Sequence, residues 1–246
     1  DFHHAGGVPA VLRELGDLVD TGAATISGAL GDGLADVRTW NADVIRPLAE
    51  PLKPAGGVAV LKGNIAPDGA VIKLSTIDPA RLRHRGPAVV FDGVVDLKAR
   101  IDDPALPVTA DSILVLRGAG PCGYPGMPEA GYLPIPRKLA AAGVKDMVRI
   151  SDARMSGTAF GTIVLHVTPE AHVGGPLALV RTGDRIRLSV ANRSVDLLVE
   201  PAELERRRQA FVPAPADRAR GYSGLYQRTV LPATEGCDFD FLLPER

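Results

Sequence analysis

The sequence predicts an α/β protein that is rich in strands, a β-barrel-like domain with flanking helices. Three observations predict it. From Gly57 onward the chain is a series of short, mostly β-branched apolar runs separated by Gly, Pro and Asp. Helical spacing interrupts them only at about 94–102, 135–143 and 201–211. Ile186, Leu188 and Val190 alternate with polar neighbours, as in a strand with one face in the core. Many short strands with few long helices favour a closed or strongly curled sheet with helices packed outside it.

Taken in order, residues 8–19 place Val8, Val11, Leu12, Leu15, Leu18 and Val19 at helical spacing, with Pro9 in the first turn. From Thr21 to Pro54 the signals are mixed, with short helical pieces around 34–37 and 43–48 broken by Gly and Pro. Residues 1–54 therefore read as a helical lead-in or linker, and 55–246 as the barrel domain. The chain opens on Asp1 rather than Met, which suggests a piece of something longer. The expected strands are VAVLKG (58–63), AVIKLS (70–75), PAVVFDG (87–93), SILVLRG (112–118), DMVRISD (146–152), TIVLHV (162–167), LALV (177–180), RIRLSV (185–190) and SVDLLV (194–199). The segment 221–243 gathers Tyr222, Tyr226, Phe239 and Phe241, an aromatic tail suited to docking on a core, a further domain or a second subunit.

Composition narrows the function. Lys plus Arg (28) nearly balance Asp plus Glu (29), so no electrostatic footprint for nucleic acid or an anionic membrane is present. Arg206–Arg208 follow Glu203 and Glu205 on an expected helix and read as a solvated face. No apolar stretch approaches the length of a membrane span, and a signal-peptide layout is missing. Cys122 and Cys237 are the only cysteines, with no CxxC. That points to a reducing, cytoplasmic setting and away from a disulfide framework or a self-contained zinc site.

Several motifs fail on inspection. Residues 118–123 spell GxGxxG after a strand, but Pro121, Pro125 and Pro128 forbid the helix that would face a pyrophosphate. What remains is a stiff Gly/Pro loop, GAGPCGYPGMPE, ending in Glu129, which taken alone is an ordinary surface carboxylate. The nucleophile elbow GxSxG is lacking, although spacing alone permits a Ser156/His166/Asp152 triad. His166, inside an apolar run, reads as a core histidine. LKGNIAPDGAVIK (61–73) is either a hairpin connection or a polar loop at a barrel rim. RISDARMSGTAFG (149–161) presents Ser156, Gly157 and Thr158 between two strand-like runs, where Asn-Gly would make a plainer turn.

LKGNIAPDGAVIK, GPCGYPGMPE and ISDARMSGTAFG occur in that order, followed by HVTPEAHVGGPLALVRTGD and led by DFHHAGGVPAVLREL. Together they resemble the C-terminal domain of the dihydroxy-acid and sugar-acid dehydratase family, over essentially the whole chain. GYPGMPE, ARMSGTAFG and the closing GCDFDFL are closer to the sugar-acid (aldonate) branch than to the branched-chain amino-acid branch. The resemblance implies a hydro-lyase that removes the C2 proton and C3 hydroxyl of a 2,3-dihydroxy acid to give a 2-keto-3-deoxy acid. It also implies magnesium and an iron–sulfur cluster as cofactors, the cluster acting as a Lewis acid on the departing hydroxyl. By the resemblance Glu129 is a magnesium ligand, Ser156 the base that takes the C2 proton, and Thr158 an assisting hydroxyl. Neither cysteine matches a cluster ligand, so the cluster and the other metal ligands are expected from an N-terminal domain of the same protein. The chain by itself is then expected to be inactive and without a cluster, and the whole protein a homo-oligomer. Glu129 and Ser156 are expected side by side at one rim of the barrel. Dihydroxy-acid dehydratase and a non-catalytic barrel used for binding or assembly are the alternatives.

Overall fold

The protein is seen here as a computed structural model that describes residues 1–157, 159–212 and 220–243. Its contacts separate two units, Asp1–Gly56 and Gly57–Arg246.

In the first unit, helix α1 (Gly7–Leu15) buries Ala10 against Ala5 and Ile45, with Val11, Val37 and Val44 packed around them. Gly6 precedes it at φ 121°, and a Cβ there would lie 2.6 Å from the Ala10 Cβ and 2.7 Å from the Arg38 carbonyl oxygen. Only glycine lets the backbones approach that closely. Strands β1 (Ala24–Thr25) and β2 (Gly28–Ala29) form a minimal hairpin. The pieces read as helical around 34–37 and 43–48 are turns, because runs this short cannot offset helix nucleation.

The second unit is built on β3 (Val58–Leu61), β4 (Gly69–Lys73), β5 (Arg83–Asp92), β6 (Ile113–Arg117), β7 (Arg149–Ser151), β8 (Ile163–Thr168), β9 (Arg185–Ser189) and β10 (Ser194–Leu197). They form one sheet in the order β10-β9-β5-β6-β7-β8-β4-β3. Pairs β5–β6, β6–β7 and β7–β8 are parallel, and the rest are antiparallel. The two edges meet just beyond β3. Lys62 N–H donates to the Arg193 carbonyl at 2.9 Å, and Val195 N–H to the Lys62 carbonyl at 3.0 Å. The Asn64 amide bonds both backbone groups of Leu197, at 2.6 and 2.8 Å. A Cβ on Gly63 would lie 2.0 Å from the Val195 carbonyl oxygen, so this seam needs glycine. The sheet is nearly closed into a barrel, as the strand count predicts.

Period-two alternation sorts the side chains into two cores. Ala59, Leu61, Ala70, Ile72, Ala88, Val90, Ile113, Val115, Ile150, Val164, Ile186, Leu188, Val195 and Leu197 fill the interior. Val89, Phe91, Leu114 and Leu116 face outward, where Leu97 of α2 (Gly93–Arg100), Leu133 and Met147 cover them. This is why β5 and β6 read as unbroken apolar runs while β9 alternates: the parallel strands are covered on both faces. Helices α3 (Arg137–Ala141) and α4 (Pro201–Gln209) fall within their expected segments. Helix α5 (Tyr222–Thr229) lies in the segment read only as an aromatic tail. LALV is not a strand but part of a 3-10 turn, Pro176–Leu179, with Leu177 and Val180 packed into the interior cluster. Four apolar residues carry no period that could tell the two apart.

Candidate functional site

The segment carrying Ser156 is explained in part by topology. β7 and β8 are adjacent and parallel, so no two-residue turn can join them, and residues 152–162 must travel back along the strands. Both ends of this crossover are fixed. Asp146 accepts from the Thr162 N–H and hydroxyl, at 3.0 and 2.6 Å, and pairs at 2.7 Å with the guanidinium of Arg149. Arg149 is buried to 1 % exposure, and its remaining donors go to the carbonyls of Leu133 and Met147. At the other end, His166 N–H donates to the Ala153 carbonyl at 3.1 Å. His166 stands at φ 51° where the β4–β8 register slips, a bulge that re-aims this part of β8.

Between these ends the crossover meets the loop that carries Glu129. Arg154 Nε donates to the Met127 carbonyl at 2.5 Å, and Nη1 pairs with the Glu129 carboxylate at 3.1 Å. The Arg154 carbonyl in turn accepts from Gly131 N–H at 2.7 Å. A Cβ on Gly131 would lie 2.3 Å from the Leu165 side chain and 2.7 Å from the Arg154 oxygen, so the glycine permits this contact. Leu165 is on the outward side of β8, alternating with the interior Val164. The two loops thus lie side by side on the flank of the barrel. Ala159 N–H donates to the Ser156 carbonyl at 3.1 Å. Lys73 Nζ grips the same stretch from β4, at 2.6 Å from the Gly157 carbonyl and 2.7 Å from that of Ala159. Ser156 is half-buried, Glu129 is exposed, and Thr158 lies outside the described residues.

Two buried carboxylates shape the Gly/Pro loop from beneath. Asp152 accepts backbone N–H bonds from Gly118, Ala119 and Ala171, each at 3.0 Å. Burial nevertheless pushes its pKa up to about 6; the three N–H groups oppose that rise and the charge of Glu170 adds to it. Glu170 accepts from Cys122 N–H at 2.8 Å and Gly123 N–H at 3.0 Å. Asp152 is thereby committed to backbone, and the pKa of His166 is lowered by burial and by the charge of Arg154. The permitted triad is not what the fold builds. Lys73, Arg154 and Glu170 are the residues the sequence reading did not assign, and Asp152 was read only as a permitted triad member. Lys73 stands at the end of LKGNIAPDGAVIK, and Asp152 and Arg154 lie inside ISDARMSG, but only the fold brings them together.

The chemistry of the donors decides what they could hold. The Glu129 carboxylate is a hard oxygen donor open to solvent, which suits magnesium. Among the described residues no cluster of three or more His, Cys, Asp or Glu is assembled, so Glu129 fits as one ligand of a larger set. An iron–sulfur cluster of the common kind takes four cysteine thiolates, and this sequence has two cysteines. Burial and the charge of Glu170 push Cys122 up to about 12 and also raise Cys237, whose Sγ lies 3.7 Å from Met127 Sδ. A cleft of about 830 Å³ lies against the Gly/Pro loop between Arg117, Tyr124, His172 and Arg207, and takes in neither Glu129 nor Ser156.

Residues 43–237 match the family model for the dihydroxy-acid/6-phosphogluconate dehydratase C-terminal domain. The chain is 51% identical over 246 residues to a 6-deoxy-6-sulfo-D-gluconate dehydratase of Pseudomonas putida, covering 98% of this chain and 42% of that protein. It is 49% identical over 256 residues to an L-arabonate dehydratase of Azospirillum brasilense, covering 100% of this chain and 44% of the relative. A dihydroxy-acid dehydratase of Methanothrix thermoacetophila is 41% identical over 243 residues, covering 96% and 43%. The chain spans less than half the length of these curated relatives.

Proposed function

The chain belongs to the dihydroxy-acid/6-phosphogluconate dehydratase C-terminal family, and on that premise we propose that it is the base-bearing part of a hydro-lyase that dehydrates a sugar acid to a 2-keto-3-deoxy acid. The names of the sulfogluconate and arabonate relatives, at 51% and 49% identity, support a sugar acid over the branched-chain substrate of the dihydroxy-acid dehydratases. The observation that carries the reading is the junction at Arg154, which brings the Glu129 loop and the Ser156 loop onto one flank of the barrel.

In this reading Ser156 Oγ accepts the C2 proton as the C3 hydroxyl leaves with a proton as water, and the resulting enol tautomerises to the 2-keto acid. A serine hydroxyl is a weak base, so the alkoxide form needs positive charge close by. Arg154, two residues before Ser156 and paired with Glu129, is a cation of this flank. Glu129 would contribute a carboxylate oxygen to magnesium, which when bound acidifies the C2 proton by drawing charge from the substrate's carboxylate and C2 oxygen. Thr158 assists as a second hydroxyl. The cluster ligands belong elsewhere in the protein, in an N-terminal domain that completes the site.

The test is made in the full-length protein on a panel of aldonates. Ser156→Ala should lower kcat by about 10²–10⁴-fold with KM and Tm little changed. Thr158→Ala should cost less. Glu129→Gln should raise the magnesium concentration needed for half-maximal rate. A Ser156→Ala enzyme keeping more than about a tenth of the parent kcat would remove serine from the base role.

A further inference from the structure

The described residues of 152–162 contain neither helix nor strand, yet the reading above asks this segment to hold a hydroxyl within tenths of an ångström of its working position. The ends are pinned by Asp146, Arg149 and the Ala153–His166 bond, but Ser156 lies between them. Arg154 holds the stretch before Ser156, and a grip on the stretch after it comes from Lys73. It alternates with the interior Ile72 and so projects outward from β4, a strand paired on both sides, to β3 and β8. Its ammonium takes the carbonyls of Gly157 and Ala159 together, at 2.6 and 2.7 Å, while Ala159 N–H donates to the Ser156 carbonyl. Charge-assisted bonds are about twice as strong as neutral ones. An ammonium also has three donors and no acceptor, so it can hold two carbonyls at once. The Lys73 ammonium, carried on a strand of the barrel wall, is thus spent on two peptide oxygens that follow Ser156.

We propose that Lys73 is a positioning residue for Ser156, fixing the backbone that follows it from the barrel wall through the Gly157 and Ala159 carbonyls. This role rests on the reading of Ser156 as the base. Among the described residues the Lys73 ammonium bonds backbone carbonyls, so its influence on turnover passes through the serine it places.

The test uses the full-length enzyme in four forms: parent, Lys73→Met, Ser156→Ala and the double variant, with Lys73→Arg as the conservative control. Lys73→Met should lower kcat by about 10–100-fold, as expected for a displacement of about 1 Å, with KM held within about threefold. Lys73→Arg should restore most of the rate, because a guanidinium can also take both carbonyls. In the Ser156→Ala background Lys73→Met should remove nothing further. Amide hydrogen exchange across 156–162 should accelerate by about tenfold in Lys73→Met while the barrel strands exchange as before. If Lys73→Met does not fold, Lys73→Gln carries the same comparison. A dead Ser156→Ala beside a fully active Lys73→Met overturns the role of Lys73 alone, as does an equal loss in the serine-free background. An active Ser156→Ala overturns the base assignment, and the role of Lys73 with it.

Discussion

Asp152 shows how a single residue can be half legible. Its place in ISDARMSG marks it as part of a chemistry-bearing segment, and spacing alone allows a triad. The fold commits it instead to three backbone N–H groups under the Gly/Pro loop. Burial raises it to about 6 from an ordinary 3.8. A carboxyl raised on folding binds its proton more tightly in the folded state, so its contribution to stability is fullest below about 4 and is lost as pH rises through about 6. Two pKa units correspond to about 3 kcal/mol. The parent protein should therefore gain on Asp152→Asn by about that order as pH is lowered from 7 to 4, measured by denaturant unfolding at several pH values. Parallel stability curves for the two proteins would refute the assignment. Glu129 illustrates the reverse case: its proposed role is invisible from its own surroundings, an exposed carboxylate beside one arginine, and rests only on its motif.

At the scale of elements, the strands were legible because burial imposes period two. β9 alternates because one face meets water, and β5 and β6 run apolar because helix α2 and its neighbours cover their outer side. What could not be read was pairing direction. The Ser156 segment looks like an extravagant turn until β7 and β8 prove parallel, after which its length is required. The seam between β3 and β10 is similarly silent in sequence, since Asn64 and Gly63 have the composition of any loop. Gly63→Ala should open that seam, because its Cβ would collide with the Val195 carbonyl, a backbone atom that cannot step aside cheaply. The expected loss is about 2–4 kcal/mol, as for other severe steric changes in a core. It should appear as a lowered Tm with faster exchange at Lys62 and Val195. A Tm within a degree of the parent would show that the seam does not hold the barrel closed.

At the scale of the whole molecule, among the described residues no group of three or more His, Cys, Asp or Glu is gathered that could hold a metal ion, and the sequence has two cysteines. Purified alone, this chain should turn over no aldonate and bind no iron–sulfur cluster. Visible absorption with stoichiometric iron, or measurable keto-acid production, would contradict that. Among the described residues no helix is long and apolar enough to cross a membrane.

The sequence by itself determined the strand-rich α/β class, the positions of most strands and the family. These follow from local periodicity and from motifs that survive as contiguous text. Tertiary structure decided the rest: that β7 and β8 run parallel, that Arg154 joins the Glu129 and Ser156 loops, and that Lys73 reaches the Ser156 segment across 84 residues of sequence. It also decided that an 8-residue helix, Tyr222–Thr229, stands where only an aromatic tail was legible. The physical reason is common to all of them. Contacts between distant segments leave no period in the sequence, so a lysine on a strand and an arginine in a loop look like any solvated charge until the barrel folds and gives each its partner.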